Sequence, residues 1–314
     1  MRSLGKIFLY ILTVLLVGAL VAPQAWHLIQ ILPSDWIGGL VGSIQRMPFH
    51  RYLSRSLQVT AILLIWPLVR SLRVRSMAEF GIFENRRSWG DFLTGVLAGL
   101  LCCLLLQPIL IFTGVVYLPY SWTAVAMALP RLIATAAIVA VLEEFLFRGV
   151  LLGFFRQFLA PSLAVLFSSL LFAGVHFVSF PEAASGPILW WSGLATLSQI
   201  GSGFPSWSLF IGAFLVLFAA GLILGWMTTM TGSLWAAIGL HGTWILGQQL
   251  FNSATFYRVK PPMSLMPLIG PSQCHGMVPT GLFPLLCILL AGWAALLLLR
   301  RHHTGSRFPT VRGA

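Results

Sequence analysis

Val141-Leu142-Glu143-Glu144-Phe145-Leu146-Phe147-Arg148-Gly149 lies inside the apolar run 131–155, and that setting decides the fold. A helix that crosses a bilayer needs about 20 mostly apolar residues, and this run supplies them. Carboxylates and a guanidinium within such a helix are costly and by default mark function. The first reading is therefore a spanning helix that carries chemistry.

Working outward, seven more runs have the same character, at about 4–22, 54–69, 92–118, 163–180, 209–227, 233–251 and 282–299. The expected fold is an all-α polytopic bundle of about eight spanning helices. Composition agrees: 58% of the 314 residues are hydrophobic and 8% are charged, against about a quarter charged in soluble domains. Too little polar surface exists to clothe a water-soluble core. The first run follows Arg2 and Lys6, so a signal peptide is the rival reading; the lack of a small-residue cleavage site before Pro23 favours a retained helix. The Trp-bearing stretch 23–50 reads as an interfacial loop. Residues 122–129 are cut off by Pro130, which predicts a helix start just after it. Residues 188–200, bracketed by Gly and Pro, read as interfacial or re-entrant, with Trp190, Trp191 and Trp207 as headgroup-depth anchors.

Nineteen Lys and Arg face seven Asp and Glu. The basic residues fall between apolar runs, which suits loops against an anionic membrane face. No basic, aromatic-studded stretch is long enough for a nucleic-acid groove. Arg70, Arg73, Arg75, Arg86 and Arg87 crowd one loop, expected to be cytoplasmic. Eight spans then put both the N-terminus and the basic tail (Arg300, Arg301, Arg307, Arg312) in the cytoplasm, leaving Arg258 and Lys260 outside. Cys102, Cys103 and Cys287 read as small core residues, and Cys274 with His275 offers only two ligands. His27 and His50 read as interfacial, and His302-His303 as part of a solvated tail.

Within the spans, Glu143 and Glu144 read as the only acids. Glu144 and Arg148 are four apart, share a helix face and can neutralise each other. That leaves Glu143, about 100° around the helix, unpaired and suited to a general base. Two imidazoles stand on other helices: His176 closes Phe172-Ala173-Gly174-Val175-His176, and His241 sits in Gly239-Leu240-His241-Gly242-Thr243. A carboxylate and two imidazoles can polarise a water and stabilise an oxyanion. They could also hold a zinc ion through Glu143, His176 and His241, although HExxH spacing is absent. Gly149, Gly174 and Gly242 are expected to let helices approach closely. Ser168 and Ser169 read as helix-packing residues.

The ordered set Glu143-Glu144-x-x-x-Arg148, Phe172-x-x-x-His176 and His241 resembles the CAAX-protease and bacteriocin-processing (CPBP) family of intramembrane proteases, which includes the Ras-converting CAAX endoproteases. The lead-in from Thr231 to His241 is similar to that family's as well. The resemblance implies Glu143 as the base that activates water, His176 as its partner, and His241 as an oxyanion holder. Glu144 and Arg148 would orient the site. It implies an endopeptidase acting on a membrane-associated, C-terminal or leader-bearing protein substrate, in contact with membrane lipids and resident in a bacterial inner membrane. By this reading 1–130 holds N-terminal membrane helices and loops. The catalytic helices fall at 131–251, and 252–314 holds an outer loop, the last membrane helix and the tail. The family often places Asn four residues after its last His. Here that residue is Ile245, which cannot donate; Thr243 and Gln248 are the stand-ins to consider. Two other readings stay open: a non-catalytic maturation or immunity partner, and a proton-coupled transporter.

Overall fold

The computed structural model describes residues 2–71, 87–114, 116–117, 122–178, 180, 186–201, 207–257, 268 and 281–303. Arg73, Arg75, Arg86, Arg258, Lys260, Cys274, His275, Arg307 and Arg312 lie outside them. The chain is an all-α polytopic helix bundle with one small strand pairing. It divides into two compact units, residues 1–75 with 177–204, and residues 76–176 with 205–314.

The first unit is built on α1 (Arg2–Gln30) and α3 (Phe49–Ser71). They run antiparallel. Lys6 donates to the Ser71 carbonyl, and the Tyr10 hydroxyl donates to Ala61 O at 2.8 Å. A side chain at Gly18 would meet the Leu57 backbone at 2.9 Å, so that glycine sets the helix spacing. Ala19, Ala22, Phe49, Tyr52 and Leu53 form the core. The stretch expected to be a loop is largely helical instead. α1 continues through Pro23 to Gln30, and α2 (Trp36–Gln45) follows. A proline is tolerated inside an apolar helix because neighbours re-satisfy the freed carbonyl. The break that does occur is at Ile37–Gly39, where the backbone turns left-handed. Residues 188–200 form only the six-residue α8 (Ser192–Leu197) with flanking turns. A piece that short does not cross a membrane.

The second unit contains α4 (Ser88–Phe112), α5 (Trp122–Glu144), a π-helix (Phe145–Leu151), α6 (Leu152–Phe155), α7 (Pro161–Val175), α9 (Trp207–Thr231), α10 (Trp235–Ala254) and α11 (Leu282–His302). The helix expected to begin after Pro130 begins at Trp122, and Pro130 sits inside it. Six of the eight expected spans, across both units, are helices long and apolar enough to cross a membrane among the described residues. The other two are α7, with 15 residues, and α10, with 20 residues whose face is diluted by His241, Thr243, Gln248, Gln249 and Asn252. Many apolar side chains point outward, among them Leu104 (70% exposed) and Phe112 (88%). That surface suits lipid and would be a liability in water.

Glycines bring the inner helices together. α4 and α10 run parallel in near contact, with Gly95 against the Ala236 carbonyl, Gly99 against Thr243 and Gly239 against the Phe92 carbonyl. α7 and α9 run antiparallel, with Gly221 against Ser169 and Gly225 against Val165. Close approach through small residues is how membrane helices gain dispersion contact. Gly242 and Gly174 do not take part: a Cβ added at Gly242 would sit at an ordinary 3.6 Å from Ala140, and one at Gly174 would meet nothing. Gly95→Val is expected to force α4 and α10 apart, since its Cβ would fall 2.1 Å from the Ala236 carbonyl oxygen. Overpacking against backbone costs about 1–3 kcal/mol or more. A lowered thermal unfolding midpoint in detergent checks this, and an unchanged midpoint would refute the contact.

The two ends of this unit are distinct. At one end Arg87 donates to His302 O at 2.5 Å, and Asp91 pairs with His303 at 2.9 Å. At the other, Val116–Tyr117 (β1) pairs antiparallel with Phe256–Tyr257 (β2), just beyond the C-termini of α4 and α10. Asp91 is therefore a third acid inside an apolar helix, 2% exposed, which the run 92–118 had placed outside. His303, expected in a solvated tail, is its partner. A short ion pair at a helix start suits the positive end of the α4 dipole.

Candidate active site

Five side chains converge where the π-helix, the end of α7 and the start of α10 meet. The sequence Glu143-Glu144 closes α5, and the next seven residues widen into the π-helix. Such π segments occur mostly as single insertions at functional sites. Ser168 on α7 donates to the Phe147 carbonyl at 3.0 Å and ties the widened turn to its neighbour.

Glu144 and Arg148 pair as their spacing predicts, at 2.9 Å, and both are wholly buried. Arg148 also reaches the Gly221 carbonyl at 3.5 Å and lies over the Phe172 ring, 4.1 Å from its centroid. A guanidinium in this position is held by a charge, a carbonyl dipole and a π face together. The spacing gave no hint of the next bond. His241 Nδ1 donates to Glu144 Oε1 at 2.6 Å. Glu144 thus accepts from Arg148 and from His241 with the same oxygen.

His176 caps α7. Its Nδ1 lies 2.7 Å from the Phe172 carbonyl, which can only accept, so Nδ1 carries the proton. Both imidazoles therefore spend Nδ1–H on a fixed oxygen and turn Nε2 inward. In each case the bond at one nitrogen sets what the other can do. Glu143 Oε2 stands 3.9 Å from His176 Nε2 and 3.9 Å from His241 Nε2. It is buried and has no hydrogen-bond partner, whereas the Glu143 side chain as a whole is 29% exposed. Glu143 is thus the half-open carboxylate and Glu144 the sealed one.

The five residues singled out in the sequence come together, and His241 is bonded through Nδ1 to Glu144. Phe172 was quoted only as part of the His176 motif, yet it is the hub. It is 2% exposed, and its ring contacts His176 (centroids 4.7 Å apart), His241 (5.9 Å), Phe147 (5.2 Å) and Arg148. The four-residue step to His176 was the available signal, because it stacks the two on one helix face.

The stand-ins considered for Ile245 are engaged elsewhere. Thr243 donates back to the Gly239 carbonyl at 2.8 Å, and Gln248 donates to Asn252 at 2.8 Å. Among the described residues no three His, Cys, Asp or Glu side chains are grouped to hold a metal ion. The geometry therefore lends no support to zinc held by Glu143, His176 and His241. Ser168 and Ser169 serve packing: Ser169 donates to Val165 O and abuts Gly221.

Residues 125–246 match the family model described as Type II CAAX prenyl endopeptidase Rce1-like. The match spans all five site residues and names the same family group as the motif order. No curated protein and no solved structure matches the chain.

Proposed function

From that family match, we propose that the protein is an intramembrane endopeptidase that hydrolyses a peptide bond of a membrane-associated protein substrate with water activated by Glu143. The observation that carries this reading is the position of Glu143 Oε2, equidistant from two inward-facing Nε2 atoms and without a hydrogen-bond partner of its own. A water at the apex of these three atoms would donate to the carboxylate and to one imidazole.

The reaction then runs as a general-base hydrolysis. Glu143 takes a proton from water as its oxygen attacks the substrate carbonyl. The carbonyl oxygen becomes an oxyanion, which the resemblance assigns to His241 to hold. Glu144 fixes the His241 ring through Nδ1, and Arg148 balances the Glu144 charge. The proton held by Glu143 passes to the leaving amine as the C–N bond breaks. His176 shares the attacking water through Nε2. The apolar wall made by Phe172 keeps bulk water from weakening these bonds.

The reaction centre lies below the membrane surface in this reading. α7 rises about 22 Å over its 15 residues, by 1.5 Å per residue, short of the ~30 Å hydrocarbon layer. It ends at His176. The basic residues Arg87, Arg300 and Arg301 gather where α4 starts and α11 ends, which supports a cytoplasmic C-terminus. With an even number of spans, the N-terminus lies on the same side.

A comparison of membrane-associated peptides by mass spectrometry, in cells carrying the wild type or Glu143→Ala, tests the reading. A tail or leader that persists only in the variant is the expected result. Identical peptide sets would count against hydrolysis. One observation favours a non-catalytic maturation partner instead: no donor stands at Ile245, and Thr243 and Gln248 are both engaged. That reading expects Glu143→Ala to complement a deletion fully.

A further inference from the structure

The first unit carries a second feature, unrelated to the site above and independent of whether the chain cleaves peptides. An apolar groove of about 460 Å³ runs between α1 and α3. That is within the range of ~300–1,000 Å³ typical of ligand sites. Val17, Val21, Ala25 and Ile29 line one wall, and Val59 and Leu63 line the other. From Arg55 to Leu64 the α3 wall runs about 13 Å, by 1.5 Å per residue, room for much of an extended acyl chain.

The groove is not apolar throughout. Arg51 and Arg55 line it, one turn apart on α3, both exposed. The antiparallel register, with Gly18 against Leu57, sets the two arginines opposite the middle of the α1 wall, and the apolar residues Val59, Leu63 and Leu64 lead away from them along α3. Among the described residues no carboxylate pairs with either guanidinium; Arg55 donates to the neutral Gln58 at 2.8 Å. Arg46, also exposed, follows α2. An apolar slot that leads away from a pair of unneutralised cations has the polarity of an anionic amphiphile.

We propose that this groove binds an anionic phospholipid, with the phosphate between Arg51 and Arg55 and one acyl chain along Val59, Leu63 and Leu64 of α3 against Val17 and Val21 of α1. Guanidinium groups match phosphate oxygens in a bidentate fashion. A zwitterionic lipid would satisfy the slot but leave net cationic charge at its mouth. An isolated phosphate ion would satisfy the arginines but leave the slot unused. The phospholipid answers both.

Native mass spectrometry of the full-length protein, released from detergent after incubation with phosphatidylglycerol or phosphatidylcholine, tests this. The wild type is expected to retain phosphatidylglycerol about thirtyfold more than phosphatidylcholine, from the two basic contacts. Millimolar inorganic phosphate should fail to displace it. R51Q/R55Q is expected to lose that preference. Val59→Trp, which fills the slot and leaves both arginines, is expected to lose retention of either lipid. Equal retention of the two lipids by the wild type would overturn the proposal. So would undiminished retention in either variant, or displacement by free phosphate.

Discussion

Purified Glu143→Gln protein is expected to fold like the wild type and to cleave substrate roughly 10²–10⁴-fold more slowly. That is the usual contribution of a positioned general base. The two halves of this expectation come from the same geometry. Glu143 Oε2 makes no hydrogen bond, so its replacement breaks none and leaves the thermal midpoint unchanged or slightly raised. A group whose removal is harmless to the fold but ruinous to the rate is held for the reaction. Full activity in the purified variant would remove Glu143 as the base. A large fall in midpoint would instead make it a structural residue.

Arg148→Ala is expected to do the opposite and damage the fold first. It strips Glu144 of one of two charge-assisted donors, where the pair itself is sealed from solvent. Leaving a buried charge without its partner typically costs about 3–5 kcal/mol. It also removes the cation from the Phe172 face. A combined Arg148→Met and Glu144→Gln protein should recover much of that stability, because replacing a buried pair by neutral groups is often nearly neutral. It should not recover cleavage, since His241 then lacks the carboxylate that orients its ring. Unfolding midpoints and cleavage rates measured on the same preparations separate the two roles. Recovery of both together would mean that Glu144 and Arg148 only hold the fold.

These contrasts follow from pairings of different legibility. The Glu144–Arg148 bond was readable because both residues are on one stretch of helix, where a spacing of four fixes the neighbours. The lateness of His176 in its helix was readable for the same reason. The bond between His241 and Glu144 joins residues 97 apart in the chain. No local rule reaches that far. The sequence reading assigned His241 no bonding partner, and packing gave its Nδ1 to Glu144. The glycine pattern misled in a similar way. Gly174 stands beside His176 and looked like a packing residue, but it faces open space, whereas Gly95, Gly99, Gly221 and Gly239 set the helix spacing.

Prolines showed the limit of punctuation in an apolar chain. Pro23 and Pro130 were read as boundaries, and both lie inside helices. In water a proline often ends a helix because the competing hydrogen bonds are available from solvent. In lipid the rest of the helix has no better alternative than to continue.

The sequence by itself determined that this chain is a membrane helix bundle and singled out five ionisable side chains that the fold brings together. Hydropathy is a sum over residues, and a charge in an apolar run is costly wherever the run packs. Only the tertiary structure decided how the roles divide: Glu144 sealed against Arg148 and His241, Glu143 left half open between two Nε2 atoms, and Phe172 placed at the centre. Those facts depend on which helices touch and at what depth, and that is settled by close packing between segments distant in the chain.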